Sequence, residues 1–152
     1  MIASSTEKIK SARTLAFEAL YEIFEKNAYA NLTIQSILRW CPLKKEERHL
    51  LTELIYGVCR KYNYCLWLIS LISDRPMFKI HPAVRILLAL GIYQIVFLDR
   101  IPESAAVNET VKIAKKVTHI GNLLMEFSEI FFAEGDHLRC RIELPTVSFM
   151  NL

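Results

Sequence analysis

Apolar residues recur along this chain at steps of three and four, the spacing of helices with one buried side. Ala12, Leu15, Ala16, Ala19, Leu20, Ile23 and Phe24 form the first stripe, predicting a helix of about five turns, and Ser4-x-x-Glu7 ahead of it reads as a capping box. "KNAYANLTI" interrupts the pattern. A short helix follows through Leu32, Ile34, Ile37 and Leu38, and Cys41-Pro42 ends it, because the residue before proline is pushed out of the α region. The next stripe holds for about six turns: Leu50, Leu51, Leu54, Ile55, Val58, Tyr62, Cys65, Leu66, Ile69 and Ile72. Gly57 sits inside it, where it either lets a neighbouring helix approach closely or simply costs the helix about 1 kcal/mol against alanine.

"SDRPMFKIHP" is a turn region, with Pro82 suited to a first helical position. Residues 82–98 are apolar nearly all round, as expected of a central helix. "DRIP" then breaks the chain, and Ser104 is placed to cap a helix with Val107, Val111, Ile113 and Ala114 inward. After Gly121, "NLLMEFSEIFFAEG" fits an amphipathic helix and "DHLRCRIELPTVSFMNL" alternates weakly around Pro145. No alternating β-branched run precedes Lys116. The expected class is all-α, five helices with short connections.

The longest apolar run, "ILLALGIYQIVFL" (residues 86–98), stops well short of the roughly 20 residues a membrane span needs. It is expected to be a buried helix, with no membrane as partner. A polar, charged start without a secretory signal points to a reducing cytoplasm, and hence to free thiols at Cys41, Cys59, Cys65 and Cys140.

Self-contained catalysis finds little support. Four glycines, at 57, 91, 121 and 135, leave no phosphate-cradling loop, so neither a nucleotide nor a methyl-donor cofactor is expected. His137-x-x-Cys140 could supply two zinc ligands but has no second close pair, so no metal is expected. Cys59, beside Arg60 and Lys61, is the one candidate nucleophile, and its place next to an apolar stripe favours packing. No catalytic residue is assigned.

What remains is basic charge with aromatic neighbours, within a net charge of only +3. Lys8, Lys10 and Arg13 lead the first helix, with Phe17 and Tyr21 at four-residue steps from Arg13. Arg60 and Lys61 stand near Tyr64, and Lys112, Lys115 and Lys116 close the fifth helix. Cations beside exposed rings suit single-stranded RNA, whose bases stack and whose phosphates need neutralising. Lysines in a last turn also suit the helix dipole, which alone would account for Lys115 and Lys116.

The ordered segments "ARTLAFEAL", "NAYANLTI", "RHLLTELIYGVCRKYNYCLWLI" and "HPAVRILLALGIYQIVFLDRIPESAAVNETVKIAKK" resemble the NusB-like RNA-binding fold. They are most similar to the amino-terminal domain of the RsmB/Sun family of ribosomal RNA cytosine-C5 methyltransferases. The resemblance covers residues 11–116. It implies an all-α bundle of two small subdomains that binds RNA, with Arg13 matching a first-helix arginine and Lys115 and Lys116 a terminal "AKK". Asn108 and Glu109 match its "NE", for which a structural role is expected, Asn108 bonding to nearby backbone.

Past Gly121 the sequence departs from the family's closing "FVN-x-VLR" helix, so residues 1–120 are read as the RNA-binding domain and residues 121–152 as an atypical tail, as in a truncated or frame-shifted product. Three functions follow. The first is an RNA-binding module without catalysis, its target a ribosomal RNA. The second is an antitermination-type factor that binds RNA with a ribosomal protein and acts on transcription. The third is an enzyme fragment working with a separate methyltransferase catalytic domain.

Overall fold

The computed structural model describes residues 10–117. α1 (Ala12–Lys26) starts where Ser11 accepts the Thr14 N–H at 3.3 Å and the Glu47 carboxylate, from a distant helix, accepts the Ala12 N–H at 2.8 Å. Ser11, not Ser4, is therefore its cap; the Ser4-x-x-Glu7 box lies outside the described residues. Asn27 ends α1 in the left-handed region at φ 55°, a conformation asparagine tolerates better than most side chains. Only three residues then separate α1 from α2 (Ala30–Trp40), so the interruption is shorter than the polar stretch suggests. α2 stops before Cys41-Pro42, as the proline rule requires.

α3 (Lys45–Ile72) begins a turn earlier than its apolar stripe. Glu46 and Glu47 lie in that extra turn, where acids favour a helix N-terminus, and periodicity of apolar residues cannot register it. A single 3-10 turn, Met77–Lys79, leads into α4 (Pro82–Phe97), whose cap is His81: its Nδ1 accepts the Ala83 N–H at 3.2 Å. α5 (Glu103–Val117) starts directly after Pro102, whose carbonyl accepts the Ala106 N–H at 3.0 Å. Ser104 is thus inside the first turn rather than capping it.

α4 is the axis. Ala83, Val84 and every residue from Ile86 to Ile95 are buried, and α1, α3 and α5 pack around it. α2 lies on α1 and α3. The two halves of the bundle, α2 with its supports and α4 with α5, share α1 and α3, and their buried side chains join in one cluster. Gly57 shows why a notch is needed. A Cβ there would stand 2.1 Å from both Cζ and Oη of Tyr93, so the α4 tyrosine ring occupies the space a side chain would take. On α5 the buried residues are Ala106, Thr110, Ile113 and Ala114, while Val107 and Val111 are half-buried. Thr110 can replace a valine because its hydroxyl donates to the Ala106 carbonyl at 2.7 Å.

Candidate nucleic-acid interface

Of the amino-terminal candidates, Lys8 lies outside the described residues. Lys10 pairs with Glu18 at 2.8 Å, both exposed. Arg13 is more firmly held: its Nε donates to Gln94 Oε1 at 2.6 Å, and Gln94, fully buried on α4, donates in turn to the Leu90 carbonyl at 3.1 Å. That bond uses Nε and orients the guanidinium plane, and the two Nη nitrogens take no part in it. Phe17 is core, 4% exposed, so it offers no ring to a base. Tyr21, half-buried, leans on Phe17 with ring centroids 6.3 Å apart. Gln94 is what the sequence reading passes over. Its signal is a lone amide among thirteen otherwise apolar positions, and such a group must find a partner.

The second cluster gathers at the same end of α4. Lys61 Nζ lies 5.6 Å from the centre of the Phe97 ring, a cation–π distance, and Tyr64 meets that ring edge-on at 5.8 Å. Arg60 is exposed and bonds the Tyr56 carbonyl of its own helix. Arg100, just past α4, pairs with Glu53. Arg13 on α1 and Arg60 and Lys61 on α3 therefore stand around the last turns of α4.

The third cluster stands apart. The turn at residues 98–102 is short and α5 packs on α4, the pairing of antiparallel neighbours, which takes the α5 lysines away from the Phe97 end. Lys112 pairs with Glu109 at 2.6 Å, while Lys115 and Lys116 are exposed and make no ion pair among the described residues. Asn108 is also exposed and makes no backbone bond there, so the structural role expected of it falls to Thr110 instead. The candidates thus form two groups, one at each end of α4, not a single patch. Elsewhere, a groove of about 430 Å³ runs along α2, lined by Leu32, Gln35, Ser36, Arg39 and Trp40.

Burial pushes the Cys59 thiol up, and pushes Cys65 up to about 12, so neither is held as a thiolate. Cys41, Cys59 and Cys65 are free; Cys140, with His137, lies outside the described residues. Among the described residues no three of His, Cys, Asp and Glu are grouped to hold a metal, and no helix is long and apolar enough to cross a membrane.

Several known proteins are similar to this chain. One is a probable ribosomal RNA small subunit methyltransferase B from Synechocystis, 42% identical over 69% of this chain and 24% of the relative. Its counterpart in Bacillus subtilis is 37% identical over 75% of this chain and 25% of the relative. The Klebsiella pneumoniae ribosomal RNA small subunit methyltransferase B is 33% identical over 66% and 22%. The chain spans about a quarter of the length of these relatives and is similar to their amino-terminal part. Residues 10–122, which contain every helix described above, match the NusB family, and the chain belongs to it.

Proposed function

We propose that this chain is an RNA-binding module for ribosomal RNA that performs no methyl transfer of its own. The observation that carries the reading is the state of Lys115 and Lys116. They sit on a helix packed to Ala114, yet the described fold uses neither in an ion pair. Arg13, with its plane set by Gln94, adds an oriented cation at the other end. The pairs of Lys10 and Lys112 with glutamates are exposed, worth about 0–1 kcal/mol each, and a phosphate can displace such a partner. The relatives are named as ribosomal RNA methyltransferases, which favours that RNA over the antitermination reading.

Counterion release supplies the test. On single strands, log affinity falls with log salt by about 0.7 per neutralised phosphate. Replacing Lys115 and Lys116 with glutamine is expected to lower that slope by about one to two units with helicity unchanged. Equal slopes and equal affinities would leave those lysines as helix-dipole partners only. The purified chain is also expected to transfer no methyl group from S-adenosylmethionine to ribosomal RNA; turnover that survives repurification would defeat the non-catalytic part.

A further inference from the structure

The connection from α3 to α4 carries an aromatic ring that no packing explains. Pro76 begins the 3-10 turn, closed by Lys79 N–H to the Pro76 carbonyl at 2.9 Å and Ile80 N–H to the Met77 carbonyl at 3.1 Å. In a three-residue turn, positions 77 and 80 share one side. Ile80 is buried and Met77 half-buried, so both anchor the turn to the core. Phe78, between them, is held outward and is 79% exposed. The turn thus points it away from the side on which Met77 and Ile80 pack.

Its surroundings are basic. Arg75, Lys79 and His81 are exposed within the same connection, against one acid, Asp74. α4 has 16 residues and α5 has 15, and the short turn between them makes them antiparallel. An antiparallel pair of nearly equal length brings the last turn of α5, with Lys115 and Lys116, toward the α4 start that this connection leads into. A fixed exposed ring flanked by cations is what an unpaired nucleotide needs: a face for the base and charge for its phosphates.

We infer that Phe78 is a stacking platform for an unpaired RNA base, with Lys79, Lys115 and Lys116 meeting the adjoining phosphates. The inference rests on the RNA-binding reading above. A protein partner could use the same ring, and the experiment separates the two. A short unstructured RNA, and the same strand with its bases removed, are titrated against wild type, Phe78→Ala and Phe78→Trp. Phe78→Ala should weaken binding of the intact RNA about tenfold, the effect of losing one stacked base, while its salt slope stays as in wild type. Phe78→Trp should keep the affinity. On the base-free strand, all three should bind alike. The ring is exposed, so unchanged melting temperatures serve as the control.

Intact RNA bound equally by wild type and Phe78→Ala would overturn the platform and leave the lysine reading standing, with a protein partner then the better use of the ring. Equal weakening on both strands would also overturn it, because no base would be involved. A wild type that binds neither strand would remove both readings together.

Discussion

At the end of α4 near Phe97, basic side chains are committed to the protein: Arg13 donates to Gln94, Lys61 lies over an aromatic ring and Arg100 pairs with Glu53. At the end near Pro82, Lys79, Lys115 and Lys116 make no ion pair among the described residues, and the ring of Phe78, beside Lys79 in sequence, is 79% exposed. All six are cations. Their partners differ, and the partners divide stability from binding. A cation tied to a buried acceptor holds helices together, so its removal should be felt in folding as well as in any binding it supports. A cation left in water holds nothing, so its removal should be felt by a ligand.

The largest effect should come from Gly57→Ala at the committed end. The new methyl would overlap the Tyr93 ring, which is buried against α3 and stacked on Phe97 at 5.2 Å. Overpacking of that kind outweighs the helical preference for alanine, so a net loss of about 2–3 kcal/mol is expected in urea unfolding. Combining it with Tyr93→Leu should recover part of the loss, as expected when two residues compete for one space. A Gly57→Ala protein as stable as wild type would mean the ring can swing aside freely.

Next in size is Arg13→Ala. It strands the Oε1 of a fully buried amide and should cost about 1–2 kcal/mol, with little dependence on salt. Gln94→Leu added to it should restore stability, because the stranded amide oxygen is then gone. Persistence of the full loss in the double variant would show that Arg13 matters through something other than Gln94.

The buried thiol and hydroxyls of the bundle also predict a response to alkali. Burial raises the Cys65 thiol to about 12, and raises the Tyr62 and Tyr93 hydroxyls above their ordinary value. These groups lose protons more easily when unfolded, so their contribution is complete below about pH 9 and is lost as pH climbs toward 12. Urea midpoints should stay flat to pH 8 and fall above pH 9, less steeply in Cys65→Ala. An identical fall in that variant would assign the effect to the tyrosines.

Much of the fold is legible in the sequence because helices announce themselves through apolar periodicity. The five helices and the central place of residues 82–98 follow from it, and the Pro82 start and the Cys41-Pro42 stop follow from the geometry of proline. What periodicity misses is polar. The charged first turn of α3, the Glu47 cap on α1 and the burial of Thr110 all depend on a hydrogen-bond partner that a one-dimensional pattern does not contain. The candidate site is less legible for the same reason. Lys61 and Lys115 look alike as letters; only the fold shows that one faces Phe97 and the other faces water. Phe78 reads as an ordinary turn residue until Met77 and Ile80 are seen to hold it out.

The smallest effect is expected from Lys115→Gln with Lys116→Gln, measured in folding rather than in RNA binding. Both lysines occupy the last turn of α5, where a positive charge favours the carbonyl end of a helix. At exposed positions and low salt, the pair should contribute about 0.5 kcal/mol, and that contribution should vanish as salt screens it. Arg13→Ala offers the contrast, since its loss comes from a buried acceptor that salt does not reach. Urea unfolding at low and high salt for both variants therefore sorts the two ends of α4 by one criterion. A salt-insensitive loss above about 1 kcal/mol in the lysine variant would mean that these side chains are committed to the fold after all, which would erase the distinction between the ends.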